Sequence, residues 1–277
     1  MNKAELIAKI KSAKKYKHIS EEVIASILET YAKKDLDWQI RKPEFILKKV
    51  KSQLHQLHGS FRPDNIKKRE KVLERLKENP RNQELVQEIL ETNNSTKERL
   101  SIYPRLYKQI FRVTGKPRSI VDLGAGINPI SLNYMGLESK EISYDAYDIN
   151  EHEAFFINEF FKSVGINGKA HVLDVSNLSN ISKIPDSDIC FMFKFLDPIE
   201  KFRNDHRLSE DIIELLRKKC KFIVASFSTN TLCGKIMNHP YRGWVERMLT
   251  RIGLDFQMLD FSEDAGEFFY IIIGDKK

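Results

Sequence analysis

Cysteine is scarce in this chain. The three present among 277 residues, Cys190, Cys220 and Cys233, are odd in number and widely spaced, with no C-x-x-C pair. That pattern excludes a disulfide framework and a zinc site as organising devices, and no metal is expected. Long hydrophobic runs are also missing: Phe268 to Ile273 falls far short of the roughly 20 residues a membrane span requires. Met1-Asn2-Lys3-Ala4-Glu5 opens no secretory signal, so a cytoplasmic location and no membrane partner are expected. Glycine is nearly absent from the first third, where only Gly59 occurs, which argues against a glycine-loop fold there.

Negative charge is short in that same segment. Residues 1–95 carry 21 Lys and Arg against 14 Asp and Glu, whereas residues 96–277 carry 25 of each, so the whole surplus of +7 lies at one end. A segregated basic face attracts polyanions, nucleic acid above all, because neutralising phosphates releases counterions. The apolar residues here recur at helical spacing. Ser20 is a candidate N-cap before Glu21 and Glu22, with Val23, Ile24, Ile27, Leu28 and Tyr31 on one face. A second amphipathic helix is predicted from Pro43 to His58, burying Phe45, Ile46, Val50, Leu54 and Leu57, with Lys42, Lys48, Lys49 and Lys51 on the other side. Further helices are expected at Ile66–Glu78 and Asn82–Leu90, and Ser95-Thr96-Lys97-Glu98 matches a capping box. A basic helical RNA-docking domain over 1–94 and a second domain over 95–277 follow, with Lys48, Lys49 and Lys51 as candidate RNA contacts.

From Ser119 the pattern changes to alternating strands and helices. Strands are predicted near Ser119–Leu123, Ile142–Asp148, Ala170–Leu173, Asp188–Phe193, Phe222–Phe227, Asp255–Phe261 and Phe268–Ile273. Helices are expected after the first two and near Leu208–Lys219 and Tyr241–Ile252, which implies a largely parallel sheet covered on both faces. The Ser262–Glu267 link leaves no room for a helix, so the last two strands must be antiparallel neighbours. An α/β Rossmann-like sheet closed by a C-terminal antiparallel β-hairpin, preceded by a helical domain, is the class I methyltransferase architecture.

The first strand runs into Asp122-Leu123-Gly124-Ala125-Gly126, and Asp148 ends the second about twenty residues on. Two glycines let the main chain turn sharply against a ligand, and Asp148 can accept both ribose hydroxyls. A dinucleotide loop would need a third glycine, and Pro129 stands at that position. The short loop therefore points to S-adenosylmethionine (SAM), with Asp122, Gly124, Ala125, Gly126 and Asp148 as cofactor residues. Ligands of open α/β sheets lie outside the carboxyl ends of the strands. Asp174 could thus accept from the adenine amine, with Ile149 and Val175 as apolar walls and Phe193 nearby. After the fourth strand stands Phe193-Lys194-Phe195-Leu196-Asp197-Pro198, not the Asn/Asp-Pro-Pro-aromatic loop that serves exocyclic amines. A ring nitrogen with a free lone pair needs no general base, and no catalytic residue is nominated.

Asn93-Asn94-Ser95-Thr96-Lys97-Glu98-Arg99-Leu100, then the loop Asp122–Pro129, Ala146-Tyr147-Asp148-Ile149 and Met192-Phe193-Lys194, together with Leu54-His55-Gln56-Leu57-His58-Gly59-Ser60, resemble the aminoglycoside-resistance rRNA methyltransferases of the Arm/Rmt and FmrO type. The resemblance implies SAM-dependent methylation of guanine N7 in the decoding region of small-subunit rRNA, with the small ribosomal subunit or its rRNA as partner. It also implies that Arg99 pairs with the SAM carboxylate. The chain departs from the family pattern S-F-P-x-K-[ST]-[LI]-S-G at Ser226-Phe227-Ser228-Thr229-Asn230-Thr231-Leu232-Cys233-Gly234, and from G-M-E-E-N-Y at Asn238–Trp244. Arg242 and Trp244, with Tyr241, are candidates to hold a flipped base there. The target nucleotide and any resistance phenotype stay open, as do another RNA base, tRNA or a small molecule as substrate, and a non-catalytic SAM- and RNA-binding protein. A monomer is expected.

Overall fold

The computed structural model describes residues 1–32, 43–57, 66–80, 82–138, 141–200, 206–231 and 235–276. Lys42, His58-Gly59-Ser60 and Cys233 lie outside the described residues. The chain begins with helices α1 (Lys3–Lys11), α2 (Glu21–Ala32), α3 (Pro43–Leu57), α4 (Ile66–Glu78), α5 (Gln83–Leu90), α6 (Asn94–Arg99) and α7 (Tyr103–Thr114). Strand β1 (Ser119–Leu123), a 3₁₀ turn (Asn128–Tyr134), β2 (Ser143–Asp148), α8 (Glu151–Val164), β3 (Asn167–Val172) and α9 (Leu178–Ile181) follow. Then come β4 (Ser187–Phe193), α10 (Leu196–Glu200), α11 (Arg207–Leu216), β5 (Cys220–Ser228), α12 (Gly243–Arg251), β6 (Phe256–Phe261), α13 (Ser262–Ala265) and β7 (Glu267–Ile273).

The strands form one sheet in the order β3-β2-β1-β4-β5-β7-β6. β1 to β5 are parallel; β7 runs antiparallel between β5 and β6 and pairs with both, Ala225 facing Tyr270 and Leu259 facing Phe269. Central strands are apolar on both faces because helices cover both: β4 buries Ile189, Cys190, Phe191, Met192 and Phe193. The crossover from β3 to β4 puts β4 on the other side of β1 and reverses the strand order, which opens a crevice at the carboxyl ends of β1 and β4.

Three apolar clusters divide the interior. On one face α4, α5, α7 and α8 pack with β1 and β2, and on the other α9 to α12 pack with β4 and β5. The third cluster belongs to α1, α2 and α3, with Leu6, Ile10, Ile24, Val50 and Leu54 at its centre. α4 and α5 are therefore built into the sheet's own core. Arg69 of α4 reinforces this, since its guanidinium meets Glu153 of α8 at 2.5 Å with both side chains at most 3% exposed. Its Nε also donates to Thr92 Oγ1 at 3.0 Å. The expected boundary at 94/95 runs through this cluster, whereas the apolar packing thins out between α3 and α4.

Several local expectations are corrected. Phe45 is 56% exposed, and Leu47 takes the buried place beside Ile46 on α3. Asn93, not Ser95, caps α6, its side chain accepting from the Ser95 N–H at 2.9 Å, while Thr96 Oγ1 bonds the Asn93 carbonyl at 3.1 Å. The Asx geometry starts the helix two residues earlier and leaves the Ser-Thr-x-Glu run inside it. The element after β1 is a 3₁₀ turn with Pro129 in its first turn, not an α-helix. Strand bounds shift most at β3, which starts at Asn167 instead of Ala170. α1 and the single turn α13 were not expected; α13 fits because Gly266 ends it in a left-handed conformation, φ 60°.

Candidate active site

The loop after β1 turns on Gly124 and Gly126, whose φ values of 67° and 50° lie in the left-handed region. A Cβ on Gly124 would stand 2.7 Å from the Phe195 ring, so this position is closed to any side chain. At Gly126 no atom lies within 4 Å of that position, which leaves an open cradle over the main chain. The Gly124 and Ala125 N–H groups both donate to the Tyr147 carbonyl, at 2.9 and 3.0 Å, and this ties the loop to the end of β2.

Asp148 faces the cradle. Its Oδ2 accepts the Gly126 N–H at 2.9 Å and its Oδ1 the Asn150 N–H at 2.9 Å, leaving lone pairs on both oxygens for ligand hydroxyls. Burial pushes its carboxyl up to about 6, with the N–H groups of Gly126 and Asn150 opposing. Asp122 is brought to the same place but points inward: its Oδ2 accepts from Asn128 Nδ2 and Tyr144 Oη, both at 2.8 Å, and it is 1% exposed. Burial pushes it up to about 6 as well. Asp122 thus fixes the loop from beneath while Asp148 faces the open side.

The wall residues are less uniform. Asp174 Oδ1 accepts from the Ser176 N–H at 3.0 Å and from Ser176 Oγ at 2.5 Å, which closes a turn before α9. Val175 is buried in the core beside Tyr147 and Ile181, so it backs the site from within. Ile149 packs against the α1–α3 cluster, and its carbonyl accepts the Ser20 N–H at 3.1 Å; the Glu151 N–H donates to the His18 carbonyl at 2.9 Å. The N-terminal helices are therefore joined by main-chain bonds to the loop that ends β2. Ser20, read as a cap, is also a link to that loop.

At the end of β4 the geometry is ionic. Arg99 is 2% exposed and forks onto Glu267, Nε to Oε1 and Oε2 at 3.0 Å and Nη2 to Oε1 at 2.8 Å. Its guanidinium lies 4.9 Å from the centroid of the Phe193 ring, and Phe193 meets Phe269 edge-on. Burial opposes both charges, but each partner overrides it: Glu267 raises Arg99 above its ordinary value, and Arg99 with Lys194 lowers Glu267. Lys194 Nζ reaches Glu98 Oε2 at 2.6 Å and Glu267 Oε2 at 3.2 Å, and Ser226 Oγ also donates to Glu267. Lys194 holds φ 53°, a strained value for a lysine, fixed by its N–H donating to Ser226 O and Oγ at 3.1 and 2.9 Å. Glu267 was missed by sequence reading, since it looks like an ordinary polar residue at a strand start. Its only sequence signal is a lone carboxylate opening an apolar run, Glu267-Phe268-Phe269-Tyr270-Ile271.

The expected base-holding pair is otherwise engaged. Arg242 forks onto Asp197, Nε to Oδ1 at 3.1 Å and Nη2 to Oδ2 at 2.6 Å, and also bonds the Pro240 and Ser228 carbonyls. Trp244 stacks on His206 with centroids 4.0 Å apart and meets Phe227 edge-on, half-buried against the core. Tyr241 is exposed, its hydroxyl donating to Asp260 at 2.8 Å. In this structure the Arg242 guanidinium and the Trp244 ring brace the loop after β5, through Asp197 and His206. Lys48 and Lys49 of α3 are exposed and Lys51 half-exposed. Among the described residues no group of acidic, His and Cys side chains could hold a metal ion, and no helix is long and apolar enough to cross a membrane.

Comparison with known proteins places this geometry. The chain is 26% identical over 244 residues to the 16S rRNA (guanine(1405)-N(7))-methyltransferase of Proteus mirabilis, covering 83% of this chain and 84% of that protein. It is 25% identical to the enzyme of the same description from Frankia casuarinae, over 83% and 80% of the two chains. Among solved structures it resembles the 16S rRNA methyltransferase RmtF in complex with S-adenosyl-L-homocysteine, with TM-score 0.79, 22% identity and 99% of each chain covered. The 16S rRNA methylase RmtB aligns with TM-score 0.73 and 23% identity, again over 99% of both chains. These two likenesses establish the shared fold. The profile described as "Ribosomal RNA methyltransferase (FmrO)" matches residues 12–271, nearly the whole chain, and the chain belongs to that family of ribosomal RNA methyltransferases.

Proposed function

We propose that this enzyme transfers the methyl group of SAM to N7 of a guanine in the RNA of the small ribosomal subunit. The observation that carries the cofactor reading is the cradle itself: an open Gly126 with a left-handed main chain, facing a carboxylate whose two oxygens each keep a lone pair. Asp148 would take the ribose hydroxyls, and Gly124, Ala125 and Gly126 would lie against the nucleoside, with Ile149 and Asp174 at the adenine end. Arg99 would meet the cofactor's carboxylate with the N–H edge that Glu267 does not use. The curated relatives, named for guanine N7, support the choice of acceptor.

When bound, SAM supplies an electrophilic methyl on a sulfonium. The lone pair of guanine N7 forms the new N–C bond while the C–S pair returns to sulfur, so no proton has to leave first. The enzyme's task is then to align the two atoms and to tolerate the positive charge passing to the ring. No base is required among the side chains, and none stands free at the end of β4, where both cations are ion-paired.

The N-terminal segment, expected as a docking domain over 1–94, supplies the RNA face. α3 presents Lys48 and Lys49 with the exposed Phe45 beside them, Lys49 Nζ lying 5.6 Å from that ring's centroid. An aromatic ring among lysines suits stacking against a base beside phosphate neutralisation. We propose Lys48, Lys49 and Lys51 as RNA contacts, and a cytoplasmic monomer acting on the subunit.

Incubation of the protein and tritiated SAM with small subunits, large subunits, total tRNA and free rRNA tests this. Label in small-subunit RNA is expected. Label confined to tRNA, or none in any RNA despite SAM binding, would overturn the substrate.

A further inference from the structure

The α1–α3 unit keeps an apolar core of its own, and Ile149, just past β2, packs against it. Among the described residues, two main-chain hydrogen bonds join residues 1–57 to the rest of the chain. The Ser20 N–H donates to the Ile149 carbonyl at 3.1 Å, and the Glu151 N–H donates to the His18 carbonyl at 2.9 Å. They frame an antiparallel bridge in which Ile19 faces Asn150. Such a pair of bonds sets the path of 149–151 as a partner strand would.

Asn150 carries that contact inward. Its N–H donates to Asp148 Oδ1 at 2.9 Å, on the carboxylate that faces the cradle. Its own Oδ1 caps α8, accepting from the His152 N–H at 2.9 Å and the Glu153 N–H at 3.2 Å, and the residue is fully buried. Glu153 is in turn locked to Arg69 of α4. The side of Asn150 toward α8 is therefore firm, whereas the side toward α1–α3 has slack. His152 Nδ1 is buried there without a hydrogen-bond partner, although its Nε2 meets Glu70 at 3.1 Å and its ring lies 5.2 Å from that of His18. The ion pair across the joint, Lys11 with Glu151, is long at 4.0 Å. Two hydrogen bonds offset by an unpaired nitrogen make a small energy difference, of the size that a bound partner can tip.

We propose that RNA docking on α1–α3 and cofactor binding in the cradle reinforce each other through this bridge, with Asn150 as the positioning residue. The two states are a seated one, with both bridge bonds made, and a displaced one, in which 149–151 loses its outer partner. In the seated state Asn150 holds Asp148 Oδ1 in line for a ribose hydroxyl. RNA that touches α3 and also brings its guanine to the cofactor contacts both sides of the joint, so it selects one seating. It thereby raises affinity for the cofactor, and by linkage the occupied cradle raises affinity for the RNA by the same factor. The inference rests on the readings of α3 as the RNA face and of Asp148 as the ribose acceptor.

The test measures small-subunit affinity with and without saturating S-adenosylhomocysteine, and S-adenosylhomocysteine affinity with and without saturating small subunits. No turnover occurs in either titration. Each partner should tighten the other by one common factor, at least about fivefold. Ser20→Pro removes the N–H that meets Ile149, while proline suits an extended residue before it and a helix start after it. It should bring the factor close to one. Ser20→Ala loses the same hydroxyl but keeps the N–H, and should keep the factor. A residue that merely supported the fold would lower both affinities and leave their coupling unchanged. Independent binding in the wild type, or full coupling in Ser20→Pro, would overturn the proposal. Should Ser20→Pro fail to fold, hydrogen exchange of the wild type decides. S-adenosylhomocysteine alone should slow exchange of the Ser20 amide, on the far side of the joint, and subunits alone should slow that of Glu151. Unchanged exchange at both would overturn it. A chain that binds no subunit, or no S-adenosylhomocysteine, would instead remove the function reading and this inference with it.

Discussion

Over β1 and β2 the carboxyl edge of the sheet is made from glycine and main-chain N–H groups, whereas over β4, β5 and β7 it is made from charged side chains far apart in the chain. In the first region every key bond joins residues about twenty apart: Gly126 to Asp148, and Gly124 and Ala125 to Tyr147. In the second, Arg99 and Glu267 are 168 positions apart and Arg242 and Asp197 are 45 apart. The first region is open and keeps unused lone pairs, whereas the charged side chains of the second are buried and paired with one another, with one N–H edge of Arg99 left over. The ion pairs of the second half therefore hold the fold together as well as face the site. Removing a charge from the second half should hurt folding, and removing one from the first should hurt the ligand.

The largest effect is expected from Glu267→Ala, which leaves Arg99 and Lys194 with no shared carboxylate. Breaking a buried pair from one side costs about 3–5 kcal/mol, to be read as a lowered urea midpoint at an unchanged slope. A midpoint equal to wild type would erase the contrast between the halves. Asp148→Ala should act the opposite way. SAM affinity should fall by about 1–3 kcal/mol as its charge-assisted hydrogen bonds disappear, while stability should hold, since burial works against this carboxylate in the free protein. Calorimetric titration and a thermal melt on the same sample check both parts.

A pH series sharpens the same point. Asp148 is raised from 3.8 to about 6 in the fold, so the native state binds more protons there than the unfolded chain, and this group's contribution to stability is largest at low pH and is lost as pH rises through 6. Ligand hydroxyls favour the ionised form. SAM affinity should therefore weaken as pH falls below about 6, by up to roughly tenfold per unit, and Asp148→Asn should flatten the profile. An unaltered profile in that variant would assign the titration elsewhere. The smallest effect per residue is expected on α3. Reversing Lys48, Lys49 and Lys51 to Glu should weaken subunit binding and reduce its salt slope by about one for each phosphate no longer neutralised, with SAM affinity untouched.

The two regions also differ in how much of them the sequence discloses. Asp122, Gly124, Gly126 and Asp148 could be picked out because each lies in a short run whose strand-turn chemistry is local, and the seven strands could be placed because their apolar runs are local too. Arg99 and Glu267 could not be paired, since nothing in either neighbourhood names the other; only the insertion of β7 beside β5 brings them together. Arg242 and Trp244 show the converse case. Arginine and tryptophan in a divergent loop suggest a grip on a base, and the sequence does not disclose that Asp197 and His206 also engage them within the protein. Phe45 failed for a similar reason: helical spacing gave it to the core, and packing chose Leu47. The charge of α4 and α5 is continuous with that of α3, and the sequence does not disclose that Val72, Leu76, Val86 and Ile89 also pack them against the sheet.

The most direct measurement treats small subunits with the enzyme and SAM, then reduces the extracted 16S rRNA with borohydride and cleaves it with aniline. Methylation at N7 puts positive charge on the guanine ring and makes it reducible, so the strand breaks at that nucleotide. A single new break at a guanine, absent without SAM and absent with Asp148→Ala at limiting SAM, is the predicted result. Transfer of label to the RNA with no break at any guanine would contradict the account.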